Sequence, residues 1–165
     1  MANIETGFDI SAVGTIIDIS PSSGGKGCTI TNFSDEGTPF DAPDVDASTN
    51  KKNLNGTMIS SRTPSVYPVS VTVIPGSYED DYLWAALQKS LIQPGEAGVT
   101  EVDKLYYNIT IKIPNINESG RKTGTRTFTW ANARVKNGPT GPSASSEGRL
   151  AARTYTFEAE SLLKS

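Results

Sequence analysis

Apolar and polar residues alternate with a period of two over most of this chain, the pattern of strands that bury one face. FDISAVGTIIDIS (residues 8–20) and CTITNFS (28–34) carry the β-branched residues of two strands, and PSSGGKG between them reads as a loose hairpin turn. VYPVSVTVIP (66–75) sets Tyr67, Val69, Val71 and Val73 against Ser70 and Thr72. Pro68 cannot donate to a ladder, which predicts an edge or an irregularity at that point. LYYNITIKI sets Leu105, Tyr107, Ile109, Ile111 and Ile113 against Tyr106, Asn108, Thr110 and Lys112. TRTFTWANARV sets Phe128 and Trp130 against Thr127, Thr129 and Ala131, and ARTYTFEAESL sets Tyr155 and Phe157 against Thr154, Thr156, Glu158 and Glu160.

The period changes once. SYEDDYLWAALQKSL brings Leu83, Trp84, Leu87 and Leu91 onto one helical stripe. Ser77 is placed to cap this helix with Asp80 three residues on, Glu79 to Asp81 lie at the positive end of its dipole, and Gln93-Pro94-Gly95 stops it. Helix physics thus accounts for these acids without catalysis. PNINESGRKTG and NGPTGPSASSEG read as loops. The sum is a mostly antiparallel β domain spanning residues 1–165, with six or so strands, one helix and several long loops. A small sandwich or partly closed barrel is the simplest arrangement.

Composition changes this picture little, but it removes functions. The chain has 165 residues, enough for one core, with a net charge of −3 and no cluster of Lys and Arg interleaved with aromatics. Tight nucleic-acid binding is therefore not expected. Nothing resembles a leader, and no apolar stretch approaches the ~20 residues needed to cross a bilayer, so synthesis and residence in a cytoplasm are expected. One cysteine, Cys28, cannot form an internal disulfide and reads as a small inert side chain.

With no histidine in the chain, Ser-His-acid and Cys-His systems and His-bearing zinc sites are excluded. SGGKG lacks the spacing of a phosphate loop and joins two strands. DAPDVDAS places Asp44, Asp46 and Ser48 as a calcium loop does, but Thr49 stands where glycine is required and Asn55 where a bidentate glutamate is required. No catalytic residue, metal site or cofactor is expected, and the chain does not read as an enzyme.

Two features remain. Several strands carry Ser, Thr, Asn and Ala on the face away from the core, where a solvated monomer more usually shows charge. Such faces suit burial against another subunit or the wall of a wide channel. The second feature is the connection from Asp35 to Ser65, far longer than an ordinary loop. Its acids come first (Asp35, Glu36, Asp41, Asp44, Asp46), its bases later (Lys51, Lys52, Arg62), and an Asn55-Gly56 hairpin signal lies within it. It reads as an assembly arm in which Asp41, Asp44, Asp46, Lys51, Lys52, Asn55, Gly56 and Arg62 meet neighbouring subunits.

The layout resembles the tail tube proteins of contractile-tailed bacteriophages, and through them the tubes of type VI secretion. The resemblance rests on a strand with ITNFSDEGTPFD, a long arm, a strand with VSVTVIPGS, then Asp80, Asp81 and a leucine-bearing helix. It implies two packed antiparallel sheets with a flanking helix, and rings of about six copies whose inner strands join into one barrel. Such rings stack into a tube within the virion, assembled in the host cytoplasm. Sheath protein lies outside, tape-measure protein and later DNA lie in the lumen, and baseplate and tail terminator close the ends. Glu158 and Glu160 are the candidates for lining the lumen. The competing class is a monomeric β-sandwich that binds a ligand along a groove lined by aromatics such as Tyr106.

Overall fold

The computed structural model describes residues 12–91, 105–116 and 122–164. Within them the chain forms β1 (Ile16–Pro21), β2 (Cys28–Ile30), β3 (Phe40–Asp41), β4 (Ser48–Lys52), β5 (Met58–Arg62) and β6 (Tyr67–Val73). The helix α1 (Tyr78–Ser90) follows, then β7 (Tyr107–Ile116), β8 (Lys122–Asn137), β9 (Arg153–Ala159) and β10 (Ser161–Lys164). Eight strands make one antiparallel sheet in the order β2-β1-β7-β8-β9-β6-β3, with β10 also paired to β8, while β4 and β5 pair only with each other. The fold is thus mainly β, with two antiparallel sheets and one helix. The large sheet is not closed into a barrel, because its ends, β2 and β3, do not pair.

The two packed layers are halves of this one sheet, and β8 belongs to both. Its N-terminal part lies between β7 and β10, whereas Arg134 and Val135 pair with Glu158 and Phe157 of β9. The sheet turns at Asn132, the one non-glycine with positive φ (53°) among the described residues. Its backbone N–H donates to Asn108 Oδ1 (3.2 Å), its side-chain amide donates to Glu160 Oε2 (3.1 Å), and the Glu160 N–H donates to the Ala131 carbonyl (3.1 Å). The side-chain alternation shifts by one across this point: Phe128 and Trp130 face inward before it, Ala133 and Val135 after it. A one-residue bulge is what inverts a strand's faces.

Inward side chains from both layers therefore meet in a single core. Ile17, Ile19, Ile30, Ile109 and Trp130 come from one layer, and Val69, Val71, Tyr155 and Phe157 from the other. The rings of Tyr107 and Phe157 touch edge-on across the seam, with centroids 6.4 Å apart. The helix seals one opening with Leu83, Ala86 and Leu87.

Several expectations need correction. There are ten strands among the described residues, not six, because the arm holds three of them (β3, β4 and β5) and β10 is separated from β9 at Glu160. β1 starts only at Ile16, since Val13 and Gly14 form a turn with Gly14 at φ 85°. β2 ends at Ile30. Residues 114–116 and 122–124, expected in a loop, extend the β7–β8 ladder. The helix stripe is buried at Asp80, Leu83, Ala86 and Leu87, while Trp84 and Leu91 are exposed. The expected stop at residues 93–95 and the first residues of the 8–20 strand lie outside the described residues. Pro68 opposes Glu158 on β9, and β3 reaches only Ser70 and Val71, so the proline occupies a part of β6 that β3 does not cover.

The bend at Asn132 sets an expectation for stability. Asn132→Ala should cost about 1 kcal/mol, because alanine lacks the polar side chain that lets asparagine adopt positive φ, whereas glycine adopts it freely and Asn132→Gly should cost less. Urea denaturation of the two variants separates the cases, and equal losses would show that backbone conformation is not the limiting factor.

Candidate functional site

The helix start gathers a dense set of polar contacts among the described residues. Gly76 (φ 78°) turns the chain out of β6. Ser77 caps α1, its Oγ accepting from the Asp80 N–H (3.2 Å), and Asp80 Oδ2 reaches back to accept from the Gly76 N–H (3.0 Å). The other carboxylate oxygen accepts from Arg153 Nε (2.7 Å) and from the Tyr155 hydroxyl (2.8 Å). Arg153 also donates to the carbonyls of Gly141 (3.0 Å) and Pro139 (3.3 Å), so one guanidinium holds helix, strand and the 138–151 loop together. The expected cap is observed, and so is its structural use; the ion pair to Arg153 carries no short-range sequence signal.

Beside this network lies a surface groove of about 330 Å³. Its walls are Pro75 and Trp84 on the helix side and Pro142 and Leu150 on the loop side, with Asp81 at the rim. Trp84 and Leu150 are both substantially exposed. The loop wall is held by Arg149, which pairs with Asp35 and, at 3.3 Å, with Glu36. The Arg149 hydrogen bond holds the Asp35 carboxyl below its ordinary range.

Asp35 and Glu36 thus bind within their own chain. The rest of the arm extends into a separate hairpin, β4–β5, whose residues are all exposed. Asn55-Gly56 sits at its tip as expected: Asn53 Oδ1 accepts from the N–H groups of Asn55 (3.0 Å) and Thr57 (2.9 Å), and Gly56 takes φ 81°. Lys51, Lys52 and Arg62 lie on the hairpin, paired in register with Ile59, Met58 and Ser48. Asp44 and Asp46 precede it, and Asp41 pairs with Ser70 at the sheet end. The hairpin tip presents Leu54, fully exposed, with Met58 and Ile59 behind it. These apolar residues were not singled out from sequence; three of them in an otherwise polar hairpin are the signal that could have found them.

Glu158 and Glu160 lie by the bend. Glu158 pairs with Lys136 (3.2 Å) and Glu160 accepts from Asn132. Both line a second, smaller depression of about 240 Å³ together with Tyr106 and Arg134, whose guanidinium stands 5.6 Å from the Tyr106 ring. Tyr106 thus has a local cation–π partner. Among the described residues no three His, Cys, Asp or Glu side chains cluster as metal ligands. No helix among them is long and apolar enough to cross a membrane.

The family model described as tail fiber protein gp32 matches residues 8–163. No curated protein matches the chain. A solved chain from the sheath-tube complex of an extracellular contractile injection system, PVC, in its extended state has a TM-score of 0.57 at 16% identity, with 100% of this chain and 98% of that chain covered. A chain of the anti-feeding prophage tube-terminating cap gives 0.55 at 16% identity (99% and 95% covered), and one of the anti-feeding prophage baseplate 0.53 at 10% (92% and 91%). At these identities the likeness is one of fold, over essentially whole chains.

Two outcomes follow from the Asp80 network. Arg153→Met leaves a nearly buried carboxylate unpaired and should cost about 3 kcal/mol in urea denaturation, with Asp80→Asn added to it costing less than the two single changes combined. Additive losses would deny the coupling. The second outcome concerns alkaline pH. Burial, then the hydrogen bond donated to Asp80, pushes the Tyr155 phenol up to about 12, and burial pushes Tyr82 and the Cys28 thiol to about 12 as well. A raised folded-state value favours the protonated form, so this stability is complete below the ordinary values and is lost as pH rises toward 12. The denaturation midpoint should hold to about pH 9 and then fall, less steeply in Tyr155→Phe. A midpoint unchanged between pH 8 and 12 would contradict it.

Proposed function

The chain belongs to the family described as tail fiber protein gp32, and we propose that it is a structural subunit of a contractile tail, forming rings of about six copies that stack into the tail tube. The carrying observation is the fold match over the full length of a chain from a sheath-tube complex. Two features of this molecule support it. Among the described residues β2, β3 and β10 are each paired along one side only, leaving edges that a neighbouring copy can extend. The β4–β5 hairpin, outside the core, is free to reach such a neighbour.

In this reading the whole of residues 1–165 is one unit and residues 35–65 are its arm. Sheath protein covers the tube, tape-measure protein and then DNA occupy the lumen, and baseplate and terminator close the ends in a virion assembled in the host cytoplasm. The role is structural, without catalysis. The same subunit geometry would serve a type VI or related injection device, and the fold alone does not separate the two. The family's description favours a second reading, a component of the tail fiber, whereas a monomeric ligand-binding sandwich has in its favour only the small depression lined by Tyr106.

Electron microscopy of the purified protein and of particles labelled with antibody against it tests this. Rings or tubes, with label along the tail shaft, are expected; label confined to fibers supports the second reading, and monomer at every concentration overturns assembly altogether. The reconstruction also locates Glu158 and Glu160, placed here on a neutral-to-acidic lumen wall along which DNA slides, and a strongly basic bore would sink that placement.

The arm gives a separate outcome. Replacing residues 48–62 by a short Gly-Ser turn removes no core residue, so the thermal midpoint should stay within a few degrees while assembly, followed by light scattering, is lost or needs roughly tenfold more protein. Normal assembly of that variant at the same ionic strength would reduce the hairpin to a tether.

A further inference from the structure

We infer that the groove between Trp84 and Leu150 is the receptor for the β4–β5 hairpin tip of an adjacent copy, with Leu54 as the inserted side chain. The inference rests on the assembly reading above and adds the address at which the arm docks.

Three observations meet in it. The first is shape and apolarity: the groove is an open hollow walled by Pro75, Trp84, Pro142 and Leu150, and Trp84 and Leu150 stand 41% and 53% exposed. The second is the ligand. Leu54 stands at the apex of a turn fixed by Asn53 and Gly56, so its full exposure is held by a bonded conformation. A rigid tip that displays one leucine loses little conformational freedom on insertion. The partner is a second copy, because the hairpin's charge is opposite to that of the body that carries the groove.

The third is charge. Residues 48–62 contain Lys51, Lys52 and Arg62 and no acid, a charge of +3, which leaves −6 on the remainder of a chain whose total is −3. The hairpin is therefore the counter-ion of the body. At the groove the Asp80 carboxylate is matched by Arg153, whereas Asp81 stands exposed at the rim, placed to meet a hairpin lysine while Leu54 fills the hollow. Such complementarity favours body-to-hairpin contact over body-to-body contact.

The test is site-directed cross-linking of the full chain. Cys28 is buried and its thiol resists ionisation, so the native background serves. Leu54→Cys and Leu150→Cys are introduced together, and a short bismaleimide is added to assembled protein. A ladder of covalent oligomers is expected from the double variant, none from either single variant, and roughly tenfold more protein should be needed for Leu54→Glu to assemble. Assembly without the ladder, a ladder formed instead with a co-assembled chain of another kind, or Leu54→Glu assembling at wild-type concentration overturns the docking while the assembly reading stands. A chain that stays monomeric under all conditions overturns both.

Discussion

The Asp80 carboxylate is the point on which three separate pieces of this molecule depend. One oxygen closes the helix start through the Gly76 N–H, and the other receives Arg153 and Tyr155 from β9. Each of those partners is itself committed: Arg153 to two carbonyls of the 138–151 loop, Tyr155 to the centre of the core. A buried ion pair is rarely a large net gain over an apolar packing, because desolvation offsets most of the attraction. What it supplies here is geometry. Helix, strand and loop have one arrangement in which all three groups are satisfied, and that arrangement opens the groove beside Trp84. Gly138 fits the same constraint, since a Cβ there would stand 2.7 Å from the Tyr155 ring and 3.2 Å from Leu87.

The bend at Asn132 does for the sheet what Asp80 does for the helix. Eight strands enclose a core here by folding over, and the strand that turns the corner bends and, through one extra residue, shifts its side-chain alternation by one. One residue in the left-handed region achieves both on β8, and Asn108 and Glu160 supply partners for its backbone and side chain. Stopping short of closure leaves edges. A closed barrel would have none, whereas among the described residues β2, β3 and β10 are each paired along one side only.

Much of this was legible in the chain. Alternation located β1, β6, β7, β8 and β9, and Ser77 with Asp80 located the helix start, because these signals are local. What stayed hidden depends on partners far apart in sequence: Arg153 lies 73 positions from Asp80, and nothing at either position announces the other. The bulge was half visible, since inward residues move from Phe128 and Trp130 to Ala133 and Val135, a change of parity that alternation alone treats as noise. Trp84 was assigned to the buried stripe because helical spacing places it near Leu83 and Leu87; its indole N–H instead reaches the Thr140 carbonyl at the groove (3.5 Å). The arm was recognised by its length and charge order, but its apex Leu54 was not, because one leucine in a polar loop gives no period.

In the proposed assembly the outer faces of the sheet leave recognition to a few points. Cross-strand groups there satisfy one another within the chain: Thr110 with Thr129 (3.4 Å), Thr29 with Asp18 (2.8 Å), and Lys112 with the same Asp18 (3.2 Å). Such surfaces neither repel a second copy nor draw it in. In the proposed assembly the long-range force between copies therefore comes from the net charges of body and hairpin, which have opposite signs and act over a screening length of about 10 Å at 0.1 M salt. Each copy carries both signs, one on a projecting element and one on the body. Head-to-tail contact satisfies both at once, and a contact of that kind propagates into a closed ring or an open stack instead of ending at a dimer.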